Sequence, residues 1–579
     1  ANTTASNNTA LGYFALVANT TGSANVAIGA EALDANTTAN YNTAVGIAAL
    51  SLNTTGNNNT ALGAWTLDAN TTAANNTAVG YAALGANTTG QYNVAVGAEA
   101  LDANTSADGN TAIGFGTLSA NTTGYSNTAV GLEALRFNTL GNANTAVGDG
   151  ALENNTEGSD GVAVGRNALM TNTTGRYNHA LGRQALYLNT TGANNVATGY
   201  QALYANTTAD DNAAFGYFAL KNNTTGTRNT AAGTSALEDN TTGDYNTAIG
   251  YKALEATTTA DYNCAVGYSA LQVNTASYNT AVGPAALDAN TSGSKNTGVG
   301  WHNLSVNTTG SNNTAIGAEA LDANTTASNN TAVGTSALGL NTTGTQNDGL
   351  GLQTLYTNTT GSYNVAVGAL AGYTLDGGNR NTLVGNSAGS GITTGSDNTF
   401  IGRKAGNTTT TGVQNTALGQ DALYTNSTGS YNVALGTQSL NDSTTSNHNV
   451  AIGHQSLYAN TTGTRNIAIG SHALDTNTTG DKSIAIGYAA LTSSTTADRN
   501  TAVGFETLKD TTTGTYNCGI GAEALSNNTT GEKNTAIGGV NALVTNTTGS
   551  RNVAVGQSAL EQNTTADGNT AVGHHALYV

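Results

Sequence analysis

Charged residues are scarce in this chain. They make up 9% of its 579 residues, 17 basic against 35 acidic, for a net charge of −18. So acidic a balance argues against nucleic acid or an anionic membrane surface as partner. Proline occurs once, which excludes collagen-like and proline-rich disordered chains despite 73 glycines. No apolar run approaches the roughly 20 residues of a membrane-spanning helix, so membrane insertion is not expected. No initiator Met or signal peptide opens the chain, which reads as a mature product or an excised segment.

What is present is one unit repeated. Asn42-Thr43-Ala44-Val45-Gly46 has counterparts seventeen residues earlier, Asn25-Val26-Ala27-Ile28-Gly29, and seventeen later, Asn59-Thr60-Ala61-Leu62-Gly63. From Asn8 onward the pattern gives 34 copies. With the opening Asn as column 0, a Gly stands in column 4 of every copy, among them Gly29, Gly46, Gly63, Gly80 and Gly97. A fixed short period overrides a domain count from length, since repeats stack into one quasi-linear body. The expectation is a single continuous array over 1–579.

The unit is too short for a helical hairpin and does not fit a heptad. Columns 1 to 3 read Thr/Val, Ala, Val/Ile/Leu and suit a short strand closed by Gly. Columns 7 and 8 read Ala-Leu, a second apolar corner. Columns 11 to 14 read Asn-Thr-Thr-Gly or Asn-Thr-Thr-Ala, which is turn chemistry. The expected fold is all-β: a parallel β-solenoid, or β-roll, of 34 coils of about 17 residues. At roughly 4.8 Å per coil it would be about 160 Å long.

In such a stack, like residues form ladders. Column 3 (Val45, Leu62, Val79) and column 8 (Leu50, Leu67, Leu84) are expected to fill a narrow core. Column 2, nearly all Ala, then faces the other way. It is either a contact surface for another chain or a tight packing layer inside the coil. The Asn of columns 0 and 11 are expected to satisfy polar groups along the stack. The column 4 Gly calls for positive φ or a close backbone approach.

Chemistry-bearing side chains are dispersed. Every Lys and Arg falls in columns 5, 6, 9, 15 or 16, as do most acids. Cys264 and Cys518 both occupy column 1, fifteen units and roughly 70 Å apart in a stack of this rise, too far to bridge. His574 and His575 are neighbours without a companion acid or Cys at ligand spacing, so no metal site is expected. No nucleophile elbow, phosphate-binding loop or EF-hand pattern appears. The chain is expected to be neither an enzyme nor a cofactor carrier.

Three irregularities interrupt the period. The unit at Asn263 is one residue short, and that at Asn534 is one residue long with Gly538-Gly539. Over about 364–414, column 8 changes from Leu to Gly (Gly372, Gly389, Gly406), and Phe400 enters column 2. This stretch is a variant repeat, a local narrowing or a contact site.

Asn-Thr-Thr has the acceptor form for N-glycosylation, with Asn36, Asn53, Asn70 and Asn87 as candidates if they face outward. Their role in the turn ladders explains the recurrence equally well. Tyr before column 0 (Tyr41, Tyr92, Tyr177, Tyr245) can stack on sugars or on one another. Ice binding needs Thr-x-Thr on one flat strand, whereas the paired Thr here are adjacent and lie in a turn.

Asn25-Val26-Ala27-Ile28-Gly29, its counterpart at 449–453, and Ser483-Ile484-Ala485-Ile486-Gly487 resemble the head repeats of trimeric autotransporter adhesins. The Asn-Thr-Ala-Val-Gly and Asn-Thr-Thr-Gly motifs are similar also to repeat arrays of phage tail-fibre-like proteins. The resemblance spans essentially the whole chain. It implies a left-handed roll, often trimeric, displayed outside the cell or on a virion for attachment. These units are longer than typical head repeats, and no heptad stalk is written here. The functional expectation is therefore a structural protein of an extracellular fibre. Copies would associate end to end or laterally, with three chains as one arrangement. The alternative is an adhesin or tail-fibre segment binding a cell surface or glycan.

Overall fold

The structure, a computed structural model, describes residues 4–579. All its regular elements are β-strands, 34 in number, nearly all three residues long. They build a parallel β-solenoid of about 17 residues per turn. The chain comprises two compact units, Ala1–Asp288 and Ala289–Val579. The first carries β1 (Thr9–Leu11) to β17 (Thr280–Val282), each strand parallel to the next, as in Thr43↔Thr60, Ala44↔Ala61 and Val45↔Leu62. The second carries β18 (Thr297–Val299) to β34 (Thr570–Val572) in the same register, as in Thr297↔Thr314 and Val299↔Ile316.

Three-residue strands cannot hold a coil alone. The corners also bond from coil to coil: Ala48 N donates to Ala30 O at 2.9 Å, Leu50 N to Thr66 O at 3.0 Å and Thr54 N to Thr71 O at 2.8 Å. Backbone groups that a turn would leave to water are thus satisfied by the stack.

The corners are made by left-handed residues. Ala48 (column 6, φ 53°), Leu50 (column 8, φ 53°) and Asn58 (column 16, φ 58°) exemplify three columns that sit there throughout. A left-handed L-residue costs about 1–2 kcal/mol, and far more if β-branched. Columns 6, 8 and 16 accordingly contain no Val, Ile or Thr.

The core is thinner than expected. Column 2 points inward: Ala44, Ala61 and Ala78 are fully buried, beside Leu50, Leu67 and Leu84 of column 8. Each buried Leu contributes about 2 kcal/mol of hydrophobic stabilisation. Column 3 faces outward, which corrects its assignment to the core. Leu62 is 44% exposed, and Val45 and Val79 are half-buried. Only a methyl group fits beneath the strand once Leu50 crosses the coil, so the bulkier side chain takes the outer face. Ala in column 2 is the tight packing layer.

Both length irregularities are absorbed at corners. Cys264↔Thr280 keeps register across the short unit. Across the long one, strands Cys518–Ala522 and Thr535–Val540 shift register only after Ile520, and Thr535↔Val553 is in phase again.

Candidate functional site

Two buried Asn ladders hold the turns. Column 0 is represented by Asn42, whose Nδ2 donates to Gly56 O at 2.9 Å while its Oδ1 accepts from Asn59 N at 2.9 Å. Column 11 holds the candidate glycosylation residues. Asn53 Nδ2 donates to Gly56 O at 3.0 Å and to Asn36 Oδ1 at 3.2 Å, and Asn70 Nδ2 donates to Asn53 Oδ1 at 2.8 Å. Asn36, Asn53, Asn70 and Asn87 are all fully buried. An Nδ2 enclosed in this way has neither room nor a free hydrogen for a sugar, so the ladder reading replaces the acceptor reading. The neighbouring Thr54 Oγ1 donates to Thr71 O at 3.0 Å, and Thr55 stands exposed.

The column 4 glycines combine a close approach between coils with a positive φ. Gly63 has φ +140°, and a Cβ there would lie 2.5 Å from Gly80 O. No L-residue meets both demands. These glycines let the strand face continue unbroken past its turn.

That strand face is the main exposed feature. Column 3 is apolar in every coil except for Thr198. In each unit it forms a ridge, with Leu62, Ile113 and Leu181 exposed in the first and Ile316 and Leu418 in the second. Column 1 lies on the same side with mostly Thr or Val, and Asp348 is its one acid. Just past the turn, column 5 adds exposed Ile47, Tyr81, Phe115 and Trp301. Isolated exposed apolar side chains are ordinary, but a contiguous ridge marks an interaction surface. Size-based reasoning placed column 3 inside and so missed this face.

Cys264 and Cys518 each flank the ridge of their own unit as free, half-buried thiols, and burial raises both above the usual thiol range. Tyr245 stacks on Tyr262 with centroids 4.9 Å apart, and Tyr262 on Tyr278 at 5.2 Å. Tyr41, Tyr92 and Tyr177 are exposed. The rings of His574 and His575 meet edge to face at 4.1 Å. Among the described residues no three His, Cys, Asp or Glu side chains cluster to hold a metal ion, and no helix is long and apolar enough to cross a membrane.

Charged side chains gather at a different corner. Columns 6 and 9 face each other across it and are repeatedly clasped by ion pairs. Arg136 meets Glu133 at 2.7 Å, Lys252 meets Glu255 at 3.1 Å, and Lys509 meets Glu506 at 2.9 Å. Such surface pairs contribute at most about 1 kcal/mol each.

The variant coils repack the core. Where column 8 is Gly, the volume of its Leu is filled by Leu383 and Phe400 from column 2 and by Leu375 and Ile392 from column 11, all fully buried. Gly372, Gly389 and Gly406 keep the left-handed φ of the Leu they replace, at 61°, 56° and 59°. Compared with protein-family models and with curated proteins, the chain matches none.

Proposed function

We propose that this protein is a structural element of an extracellular fibre and that copies associate laterally through the apolar strand face. The observation that carries the reading is the column 3 ridge. An outward column kept apolar in every coil but one is what a buried interface between copies requires. The ridge has a two-fold use: column 2 beneath it packs the coil, and the ridge packs coil against coil of a neighbour. Chemistry-bearing side chains are spread over the exterior instead of converging on one pocket, which supports a scaffold over an enzyme. The similarity of its motifs to adhesin heads and tail-fibre arrays points the same way, with three chains around a common axis as one arrangement.

Sedimentation of the purified full chain tests this. A mass at a multiple of 57.7 kDa is expected. A variant with Val79→Asp, Val96→Asp and Ile113→Asp would sediment as a single chain with an unchanged β-signature in circular dichroism. A wild-type protein that is monomeric at every concentration would overturn the proposal.

A further inference from the structure

Beside the glycine coils the corner between columns 6 and 9 carries no ion-pair clasp, and small side chains leave it open. Along column 9, Tyr356 and Tyr373 stack at 5.5 Å, but the next two coils carry Ser390 and Asn407 before Tyr424 resumes the row. Across the corner, column 6 reads Leu370, Ser387 and Lys404. Ser387 and Ser390 are too short to meet as Glu133 and Arg136 do, and Gly391 lowers the floor further. The result is a recess of about 470 Å³ lined by Leu370, Tyr373, Ser390, Gly391, Asn407 and Thr408. It lies beside the glycine coils, all within the second unit.

The recess has an aromatic wall and a polar floor. Tyr356 covers one face of the Tyr373 ring, and the other looks into the gap. Tyr373 and Tyr424 are three coils apart, so at roughly 4.8 Å per coil their rings stand about 14 Å from each other. On the floor, Asn407 Nδ2 donates to Ser390 Oγ at 2.6 Å and to Ser387 O at 3.1 Å. This leaves the Asn407 Oδ1 and the Ser390 hydroxyl hydrogen for a guest. A second, separate hollow, which begins in the coil of Asn407, is lined by Arg403, Lys404, Asp421 and Tyr424. Arg403 lies 3.8 Å from Asp421, and the Lys404 ammonium stands 5.8 Å above the Tyr424 ring. Two cations against one carboxylate make this a locally positive spot on a chain of net charge −18.

We propose that this recess binds a carboxylate-bearing pyranose, a uronic-acid residue of a glycan. The apolar face of the sugar ring lies on the open face of Tyr373, its hydroxyls bond to Ser390 and Asn407, and its carboxylate reaches Lys404. The three requirements of a small-ligand site meet here: an apolar wall, a few convergent polar groups and a charge complementary to the guest. The gap admits one ring with room for a glycosidic neighbour. The proposal stands apart from lateral assembly, since the recess lies at the column 6–9 corner and not on the strand ridge.

The test is titration of the full chain with methyl glucuronide, with methyl glucoside as the neutral arm, read by calorimetry and saturation-transfer NMR. Ser390→Tyr continues the stack of Tyr356 and Tyr373, fills the recess and leaves the coil intact. Lys404→Gln removes the cation, and Tyr204→Ala, in another Tyr stack, is the control. Glucuronide binding in the millimolar range is expected, weakened about tenfold or more by Ser390→Tyr and unchanged by Tyr204→Ala. Lys404→Gln is expected to erase the preference for glucuronide over glucoside. No glucuronide binding at about 50 mM, equal binding of both sugars by the wild type, or full affinity in Ser390→Tyr would each overturn it.

Discussion

Phe400 and Gly406 share one space: a Cβ on residue 406 would lie 2.6 Å from Phe400 Cζ. The ring fills the volume that the column 8 Leu occupies in other coils, and Phe400 is fully buried. Each residue is an error without the other. Phe400→Ala is expected to destabilise the protein by about 3–5 kcal/mol through the cavity it leaves. Gly406→Leu is expected to destabilise it by overpacking. The double variant restores the ordinary coil, so its loss should be much smaller than the sum. Denaturation of the four proteins in the cycle measures the coupling, and additive losses would contradict the shared volume.

Gly63→Ala should be costly at a position that looks innocuous. The residue has φ +140°, and the new Cβ would meet Gly80 O at 2.5 Å. Strain and clash together are expected to cost more than about 2 kcal/mol. Because repeat arrays unfold locally, the readout is hydrogen-exchange protection of residues 59–80 against that of distant coils. Unchanged protection there would refute the close approach.

Expression in a host with N-glycosylation machinery is expected to leave Asn36, Asn53, Asn70 and Asn87 unmodified on peptide mass mapping. Asn53→Ala is expected to lower stability by about 1–3 kcal/mol, because the Gly56 carbonyl and both neighbouring Asn lose a buried partner. Hexose-containing chains located at those four Asn on folded protein would contradict the buried ladder.

Acid should stabilise this protein over part of the range in which most proteins weaken. Burial raises the carboxyls of Asp34, Asp68, Asp102 and Asp442 above 3.8 and that of Glu153 above 4.5. A raised carboxyl contributes stability that is complete below its unfolded pKa and lost as pH rises through its folded pKa. Asp397 runs the other way. Its hydrogen bond from Arg380 Nε, 2.6 Å, lowers its pKa, and its contribution is lost as pH falls below 3.8. The raised group is the larger, so the thermal midpoint is expected to rise from pH 7 to about pH 4.5. Asp34→Asn should raise the midpoint at pH 7 and leave it unchanged near pH 3.5. A midpoint that falls steadily below pH 7 would contradict this.

The period, the all-β class, the turn columns and the inward Leu of column 8 were legible because each follows from residue type at a fixed spacing. Alternation also placed columns 2 and 3 on opposite faces, but it carries no direction. Assigning the larger side chain to the core reversed them, since the interior of so narrow a coil admits only a methyl group there. The direction was nevertheless written in the variant coils. Phe400 enters column 2 in the same unit in which Gly406 enters column 8, and two columns that exchange volume must share an interior. Likewise, the absence of Val, Ile and Thr from columns 6, 8 and 16 encodes the left-handed corners. The open clasp at Ser387 and Ser390 was not legible, because the pairing of columns 6 and 9 emerges only once the corner is folded.

Cys264 provides the most direct test of the central claim that copies meet on the strand face. It stands in column 1 beside the ridge, half-buried in the single chain and free of any disulfide. Its alkylation rate, located by peptide mass mapping, is to be compared between the assembled wild type and the dissociated Val79→Asp, Val96→Asp, Ile113→Asp variant. The account predicts strong protection of Cys264 in the assembly and release of that protection on dissociation. Equal alkylation rates in the two states would place the contact between copies elsewhere and contradict it.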